Sequence, residues 1–408
     1  MTAARRMLAE RLGPVASVSL AQLFGTSLWF SANSASADLG RVWRATPADI
    51  GWLTSAVQAG FIAGTLTISL TGLADRFRAS RIFVACAIAG ALSNAGFALL
   101  AHGIGDGMAW RFLVGLSLAG IYPVGMKLIV GWAPDRTGAA LAVLVGMLTL
   151  GTALPQGLRA LGAGLLPWQG VILASSALAG IAAVMIFLLG DGPQFRLPAP
   201  RRAGAPRLAV LAALAAPAFR AAMWGYFGHM WELYTFWTIV PLLVARSSLA
   251  AANGSGVPAL AFLAIGVGAL GCLAGGRLSR ALGNARVALG ALTVSGLCGA
   301  AFALGWDALP RPWLLALILV WGAAVVADSP QFSALAARAC PPELVGSALA
   351  IMNSIGFAIT VVSIPLVSVA LERFGPGAVW LLVPGPVCGL AGFALAAPRA
   401  AADGVPAR

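Results

Sequence analysis

Apolar residues gather into twelve long runs along this chain, and short polar or arginine-rich segments separate the runs. A helix needs about 20 apolar residues to cross the hydrocarbon core of a bilayer, and each run is about that long. No run alternates like a barrel strand, so we predict twelve membrane-spanning helices. They cover residues 13–36, 50–70, 82–102, 108–131, 138–162, 169–190, 217–245, 257–276, 287–306, 312–334, 345–371 and 378–397.

The arginines are distributed unevenly between the two sets of loops. With the N-terminus in the cytosol, the cytosolic segments hold 17 arginines and the opposite side holds five. Cytosolic loops of membrane proteins carry an excess of Lys and Arg, so this distribution predicts that both termini are cytosolic. It also accounts for the net charge of +13 without a nucleic-acid partner. We expect a multi-pass protein embedded in the lipid bilayer of the cytoplasmic (inner) membrane.

Two loops of the first half reappear in the second half. Residues 71–81 align with residues 276–286 at a shift of 205, and residues 134–142 align with residues 342–350 at a shift of 208. A segment rich in Pro and Arg separates the halves, which is typical of a linker. We predict an N-terminal six-helix bundle at 1–190, a cytosolic linker at 191–216 and a C-terminal six-helix bundle at 217–408.

The loop at residues 71–81 reads TGLADRFRASR. It resembles the loop between the second and third helices of the major facilitator superfamily of transporters, which reads roughly G-x-L-A-D-R-x-G-R-R. The LADR segment matches, whereas Thr71 and Arg78 stand where the family has glycines. In the second copy Gly283 restores a glycine, and Arg280 replaces the aspartate. Because the repeat extends the resemblance over nearly the whole chain, we expect that all-α fold: twelve transmembrane helices arranged as two six-helix repeats.

This resemblance carries expectations about mechanism. It implies a secondary transporter that works by alternating access, with a substrate site at the membrane midplane between the two halves. It also implies that the loop containing Asp75, Arg76 and Arg81 holds the cytosolic gate.

Ionisable side chains at membrane depth are costly, so they tend to be functional. In the fourth span Arg111, Gly115 and Ala119 resemble the family pattern R-x-x-x-G-x-x-x-A. On an ideal helix Arg111, Gly115 and Tyr122 fall within about 40° of one another, which suits the wall of a cavity. The alternative is that Arg111 lies near the helix end and extends to the membrane interface.

The seventh span carries Tyr226, His229 and Glu232 at intervals of three residues, so neighbours share a face. We interpret His229 and Glu232 as a titrating pair that couples transport to protons. The alternative is a hydrogen-bonded pair that only fixes helix packing. The HxxE spacing also occurs in metal sites, but too few carboxylates accompany it, so we expect no metal.

Asp328 lies beside Pro330 in the tenth span. It is a candidate to bind a proton or a partner arginine, and equally a candidate to cap the helix that follows Pro330. The five cysteines form no CxxC pair, and we expect no cofactor.

We therefore expect a transporter rather than an enzyme, because clustered nucleophiles or metal ligands are missing from the sequence. A P-loop is missing as well, so an ion gradient rather than ATP is expected to drive it. The expected partners are a small-molecule substrate and protons, and the chain is expected to act as a monomer. A small anion is the first choice of substrate if Arg159 and Arg220 face the cavity. Export of apolar or cationic compounds by a drug/proton antiporter is the alternative.

Overall fold

The computed structural model describes residues 7–162, 166–193, 214–250, 256–341 and 344–397. Every predicted span is helical, in the predicted order. The spans of the N-terminal half consist of the helices Pro14–Thr26, Ser31–Ser34 and Ser36–Val42 (first span), Pro47–Thr71, Ala79–Leu100, Ile104–Leu118 with Tyr122–Trp132 (fourth), Thr137–Leu161 and Trp168–Leu189. Most of the predicted linker, residues 194–213, lies outside the described residues.

The C-terminal half begins with an uninterrupted seventh span of 29 residues. Its helices are Pro217–Ala245, Val257–Gly266 with Gly268–Leu282 (eighth span), Asn284–Gly305, Arg311–Ala327 with Ser329–Arg338 (tenth), Val345–Phe374 and Pro384–Ala396. A 3₁₀ turn, Gly375–Leu381, joins the last two.

Within the described ranges, nine helical segments are long and apolar enough to cross a membrane. One of them, Val345–Ala396, contains both the eleventh and the twelfth span. The interrupted first span and the seventh span, which carries His229 and Glu232, are not among these nine. The arrangement is consistent with the twelve predicted spans.

The structure differs from the prediction by breaking four spans that the apolar pattern made continuous. The breaks fall at residues 27–30 and 35 in the first span, and at residues 119–121, 267 and 328 in the other three. Apolar periodicity reports only which side of a helix is buried, so it does not reveal where the backbone leaves the helix inside a buried segment.

The two halves repeat in their contacts as well as in their sequence. Gly115 packs against the carbonyl of Val57, and Gly322, which lies 207 residues later, packs against the carbonyl of Ala264, also 207 residues later. Gly64 against Leu116 and Gly271 against Ala323 form a second equivalent pair. A Cβ atom at any of these glycines would overlap the opposite backbone, so the glycines permit close packing of the second span on the fourth and of the eighth on the tenth.

Two contacts join the halves along their length. The second span packs on the eleventh, and the fifth packs on the eighth. Exchanging the two halves converts one contact into the other, as expected for a two-fold axis along the membrane normal. Residues that face this interface are therefore in a position to sense relative movement of the halves.

Candidate functional site

The break in the first span lies in a segment rich in hydroxyl side chains. Ser27 donates to the carbonyl of Phe24 at 2.6 Å, and Ser34 donates to the carbonyl of Ser31 at 2.6 Å. Such side chains compete with the helix for backbone partners. The helix stops at Thr26 and resumes at Ser31.

Arg111 supplies donors to the carbonyls at this break. Its Nη1 donates to the Leu28 carbonyl at 3.0 Å, and its Nη2 donates to the Trp29 carbonyl. Nη1 also lies 3.1 Å from Ser31 Oγ and 3.0 Å from Asn94 Oδ1. The side chain is fully buried. Arg111 thus lies inside the N-terminal half, enclosed by backbone carbonyls and polar side chains of its own half.

Asn94 extends this network to two further spans. Its Nδ2 donates to the Ile172 carbonyl and to Ser176 Oγ, both at 3.0 Å, while its Oδ1 accepts from Ser31 Oγ at 2.7 Å. Gly115, one turn from Arg111, packs on the backbone of the second span. The predicted stripe of Arg111, Gly115 and Tyr122 is also divided by the break at 119–121, because a single helical wheel does not apply across it.

His229 and Asp328 meet in the C-terminal half. His229 Nδ1 lies 2.7 Å from Asp328 Oδ1, and both side chains are almost completely buried. Asp328 occupies the break in the tenth span, and Ser329-Pro330 starts the helix that follows. Pro330 lacks a backbone donor and is favoured in the first turn of a helix, which accounts for a new helix start at this point.

Glu232 has a different partner from the one that its spacing predicts. Trp321 Nε1 donates to Glu232 Oε1 at 2.6 Å. Ser295 lies close to the same carboxyl group without meeting hydrogen-bond geometry. The predicted His229–Glu232 pair is therefore replaced by His229–Asp328 and Trp321–Glu232. Helical spacing identifies residues on one face, but the facing tenth span supplies the nearer partner for each.

Tyr122 and Tyr226, the two tyrosines among the predicted site residues, lie on either side of the interface between the halves. Tyr226 is buried, and its ring centroid is 5.8 Å from that of His229. Tyr122, which is partly buried at the start of a helix, lies within electrostatic range of Tyr226. The structure thus brings Tyr122, Tyr226, His229 and Asp328 into one region, whereas Arg111 belongs to a separate network.

Six aromatic side chains from both halves form a central aromatic cluster that the sequence analysis did not assemble. Their ring centroids lie between 4.4 and 6.4 Å from their neighbours in the cluster. The cluster consists of Trp29 and Phe30 of the first span, Phe61 of the second, Tyr234 and Trp237 of the seventh and Phe357 of the eleventh. Each ring lies on a span that also carries polar residues, but sequence spacing cannot match rings on different spans.

The loop between the second and third spans turns at Gly72, which has a φ of 64°. Thr71 is the last residue of the preceding helix, so the glycine conformation occurs one residue later than the family pattern suggested. Asp191, beyond the sixth span, accepts from the Ser80 backbone at 3.0 Å and from Ser80 Oγ at 2.7 Å. Arg76 and Arg81 are exposed, and the side chain of Asp75 lies outside the described part of the structure.

The two other arginines proposed for the cavity lie elsewhere. Arg159 forms a salt bridge with Asp38, which also pairs with Arg41. Arg220 is exposed near the start of the seventh span. They therefore do not supply the cavity cations on which the prediction of an anionic substrate depended.

Two repeated helical halves, with broken spans and buried ionisable groups near mid-span, define a membrane transporter by their architecture. Residues 15–365 match the sequence profile of the Major Facilitator Superfamily. The chain belongs to the Major Facilitator Superfamily, which confirms the fold predicted from the loop and its repeat.

Solved structures agree with this fold. A bacterial homologue of the human lysosomal transporter Spinster, in an inward-facing and unoccupied conformation, superposes with a TM-score of 0.68 at 14% identity, covering 97% of this chain and 96% of the other. A mutant of the nucleoside transporter NupG gives a TM-score of 0.72 at 14% identity, covering 94% of this chain and 100% of the other. At such identity the likeness establishes the fold alone.

One characterised protein resembles part of the sequence. The niacin transporter NiaP of Acinetobacter baylyi is 35% identical over 104 residues, which are 25% of this chain and 23% of that transporter. The chain therefore matches less than a quarter of the length of this relative. The family to which this chain belongs and the solved structures that resemble it are transporters rather than enzymes.

Proposed function

We propose that this protein is a proton-coupled secondary transporter of a small organic anion. The observation that carries the proposal is the buried group of His229, Asp328 and Glu232 in the C-terminal half. All three side chains can change charge by gaining or losing a proton. A charge that is buried without a full set of partners is costly, so such groups favour a change of protonation when the surrounding spans move.

The position of the group supports a role in coupling. His229 and Glu232 lie on the seventh span, and their partners Asp328 and Trp321 lie on the tenth. His229 Nδ1 and Asp328 Oδ1 are 2.7 Å apart, so in this proposal relative movement of the two spans makes or breaks the pair. In this proposal Tyr226, which contacts His229, and Tyr122 across the interface connect that change to the region between the halves.

The anionic substrate is supported by two observations. The partial likeness to a niacin transporter favours a small organic acid. Buried N–H donors without partners on Gln58 and Trp237 favour a ligand that accepts hydrogen bonds. Glu232 and Asp328 favour the alternative, a drug/proton antiporter that exports apolar or cationic compounds, because buried acids attract cations.

The remaining assignments are parts of the same proposal. The arginine distribution supports cytosolic termini in the cytoplasmic membrane, with halves at 1–190 and 217–408 joined by a cytosolic linker at 191–216. We propose that the chain acts as a monomer, and that Asp75, Arg76 and Arg81 hold the cytosolic gate.

Transport in proteoliposomes tests this function. With radiolabelled nicotinate as the probe, we expect an inward proton gradient to drive accumulation by the unmodified protein. Glu232→Gln and Asp328→Asn should abolish accumulation yet retain exchange of labelled for unlabelled probe, because exchange needs no net proton movement. His229→Ala should shift the pH optimum. Asp307→Asn, at an exposed acid in a loop, serves as the matched control and should behave like the unmodified protein.

The outcomes separate the candidates. Accumulation by both acid variants, or uptake by the unmodified protein that ignores the gradient, would refute proton coupling through this group. Proton-driven efflux of a cationic dye, with no exchange of nicotinate, would favour the antiporter.

A further inference from the structure

The central aromatic cluster joins the two halves through ring contacts. Trp29 lies 5.5 Å from Tyr234 and 6.0 Å from Phe357, and Phe30 lies 5.9 Å from Trp237, measured between ring centroids. In each pair one ring comes from the N-terminal half and the other from the C-terminal half. All these rings are buried. Relative movement of the halves must therefore separate or rearrange them.

Two of these pairs present nearly parallel faces. The interplanar angle is 18° for Phe30 and Tyr234 at 6.4 Å, and 21° for Trp29 and Phe357 at 6.0 Å. Carbon atoms pack at about 3.5–4 Å, so a planar ring inserted between two faces needs about 7–8 Å between them. Faces in direct contact must therefore separate by about 3.5–4 Å to admit a flat ring, whereas a bulky aliphatic group needs more.

Two polar atoms beside the rings are hydrogen-bond donors without a partner among the described residues, Gln58 Nε2 and Trp237 Nε1. Trp29 Nε1 donates to Gln58 Oε1 at 3.1 Å. An indole nitrogen cannot accept, so this contact fixes the orientation of the Gln58 amide and leaves Nε2 as a donor. A ligand with acceptor oxygens would satisfy such donors.

The acids of the C-terminal half are directed elsewhere. Glu232 is bonded to Trp321 of the tenth span, and Asp328 contacts His229. The donors beside the rings therefore favour a ligand that accepts hydrogen bonds. Such a ligand is either an anion or a neutral molecule with acceptor atoms.

We propose that the central aromatic cluster is the substrate site and that it takes a planar aromatic carboxylate. The aromatic group stacks between rings of the two halves, and its carboxylate accepts from Gln58 Nε2 and Trp237 Nε1. The inference rests on the proposed function in one respect, namely that the chain transports a small anion. It adds that the substrate contains a flat ring.

Binding to purified protein tests the substrate class without any gradient. Benzoate and cyclohexanecarboxylate are matched probes, because both are carboxylates on six-membered rings and only benzoate is flat. Quenching of tryptophan fluorescence reports binding, since Trp29 and Trp237 belong to the site. We expect benzoate to bind at least tenfold more tightly than cyclohexanecarboxylate. Equal affinity for the two, or binding of benzylammonium in place of benzoate, would overturn the proposal.

Variants separate the hydrogen bond from the ring. Trp237→Phe keeps an aromatic face and removes Nε1, so we expect benzoate to bind about tenfold more weakly. Trp313→Phe, at an exposed tryptophan, is the matched control and should leave affinity unchanged. Phe357→Leu should reduce the preference for benzoate over cyclohexanecarboxylate. Thermal unfolding checks that each variant is folded, and unchanged benzoate affinity in folded Trp237→Phe and Phe357→Leu would refute the site.

The outcome of this binding experiment is independent of the outcome of the proton-coupling test. Benzoate binding without proton-driven uptake would uphold the aromatic site and refute coupling. Proton-driven uptake of aliphatic acids, with no preference for benzoate, would uphold transport and refute the aromatic site.

Discussion

The first span contacts the fourth, and the seventh contacts the tenth, at equivalent places in the two halves. The two contacts nevertheless hold different kinds of ionisable group. At the shift of 207 that relates the fourth span to the tenth, Arg111 corresponds to Ile318. The first span is broken opposite Arg111, whereas the seventh is one continuous helix. The arginine and the broken helix therefore occur together in one half and are missing together from the other.

The difference has a chemical reason. An arginine does not lose its proton inside a protein, so its charge needs partners in every conformation. Arg111 has them in the Leu28 and Trp29 carbonyls, Ser31 and Asn94. Carboxyl and imidazole groups can become neutral, so His229, Glu232 and Asp328 need fewer fixed partners. One half thus holds a permanent charge in a static network, and the other holds groups suited to exchange protons.

The largest expected effect comes from making the N-terminal half resemble the other. Arg111→Ile introduces the residue type found at position 318 and leaves the Trp29 carbonyl without its donor. We expect the free energy of unfolding to fall by about 1–3 kcal/mol for each oxygen left unpaired, with loss of transport. A thiol-reactive dye can measure unfolding, because Cys272, Cys298 and Cys340 are buried free thiols.

The control for this variant is Arg220→Ile, which removes an exposed arginine. It should leave stability nearly unchanged. If Arg111→Ile is as stable as the control and instead loses benzoate binding, Arg111 contacts substrate and the static network is not its role.

A smaller effect is expected at the repeated loops. Asp75→Asn should reduce turnover more than affinity, by about tenfold, which corresponds to about 1.4 kcal/mol in the barrier. The reason is that a gating loop stabilises a conformation rather than the ligand. Arg280→Ala, at the place where the second loop lacks the aspartate, should do less. Initial exchange rates over a range of probe concentrations measure both, and equal damage would show that the two loops act alike.

The smallest effect is expected at the salt bridge of Asp38 with Arg41, whose side chain is 74% exposed. Arg41→Ala should lower the free energy of unfolding by only about 0.2–1 kcal/mol, because charge pairs near solvent contribute little. Asp38→Asn is the comparison and should cost more, because Asp38 also pairs with Arg159 and both of these side chains are mostly buried. A loss for Arg41→Ala as large as that for Arg111→Ile would mean that burial does not separate the two sites.

The sequence by itself determined the all-helical class and the order of the spans, the repeat and the family. These features are local or recur along the chain: apolar length predicts a span, and loops such as residues 71–81 carry their own pattern. It also identified Arg111, His229, Glu232 and Asp328 as unusual, because any ionisable residue in an apolar run is conspicuous.

Only the tertiary structure decided what each of these residues contacts. His229 and Glu232 share a helical face, but a facing span offers His229 a carboxylate and Glu232 an indole. The central aromatic cluster needs rings from four spans, and no spacing along one span reports their distances. The break in the first span is satisfied by an arginine more than 80 residues away along the chain. Such partners depend on how helices pack. The periodicity of side chains along one helix predicts which of its faces is buried, but it does not predict which residues of other helices contact that face.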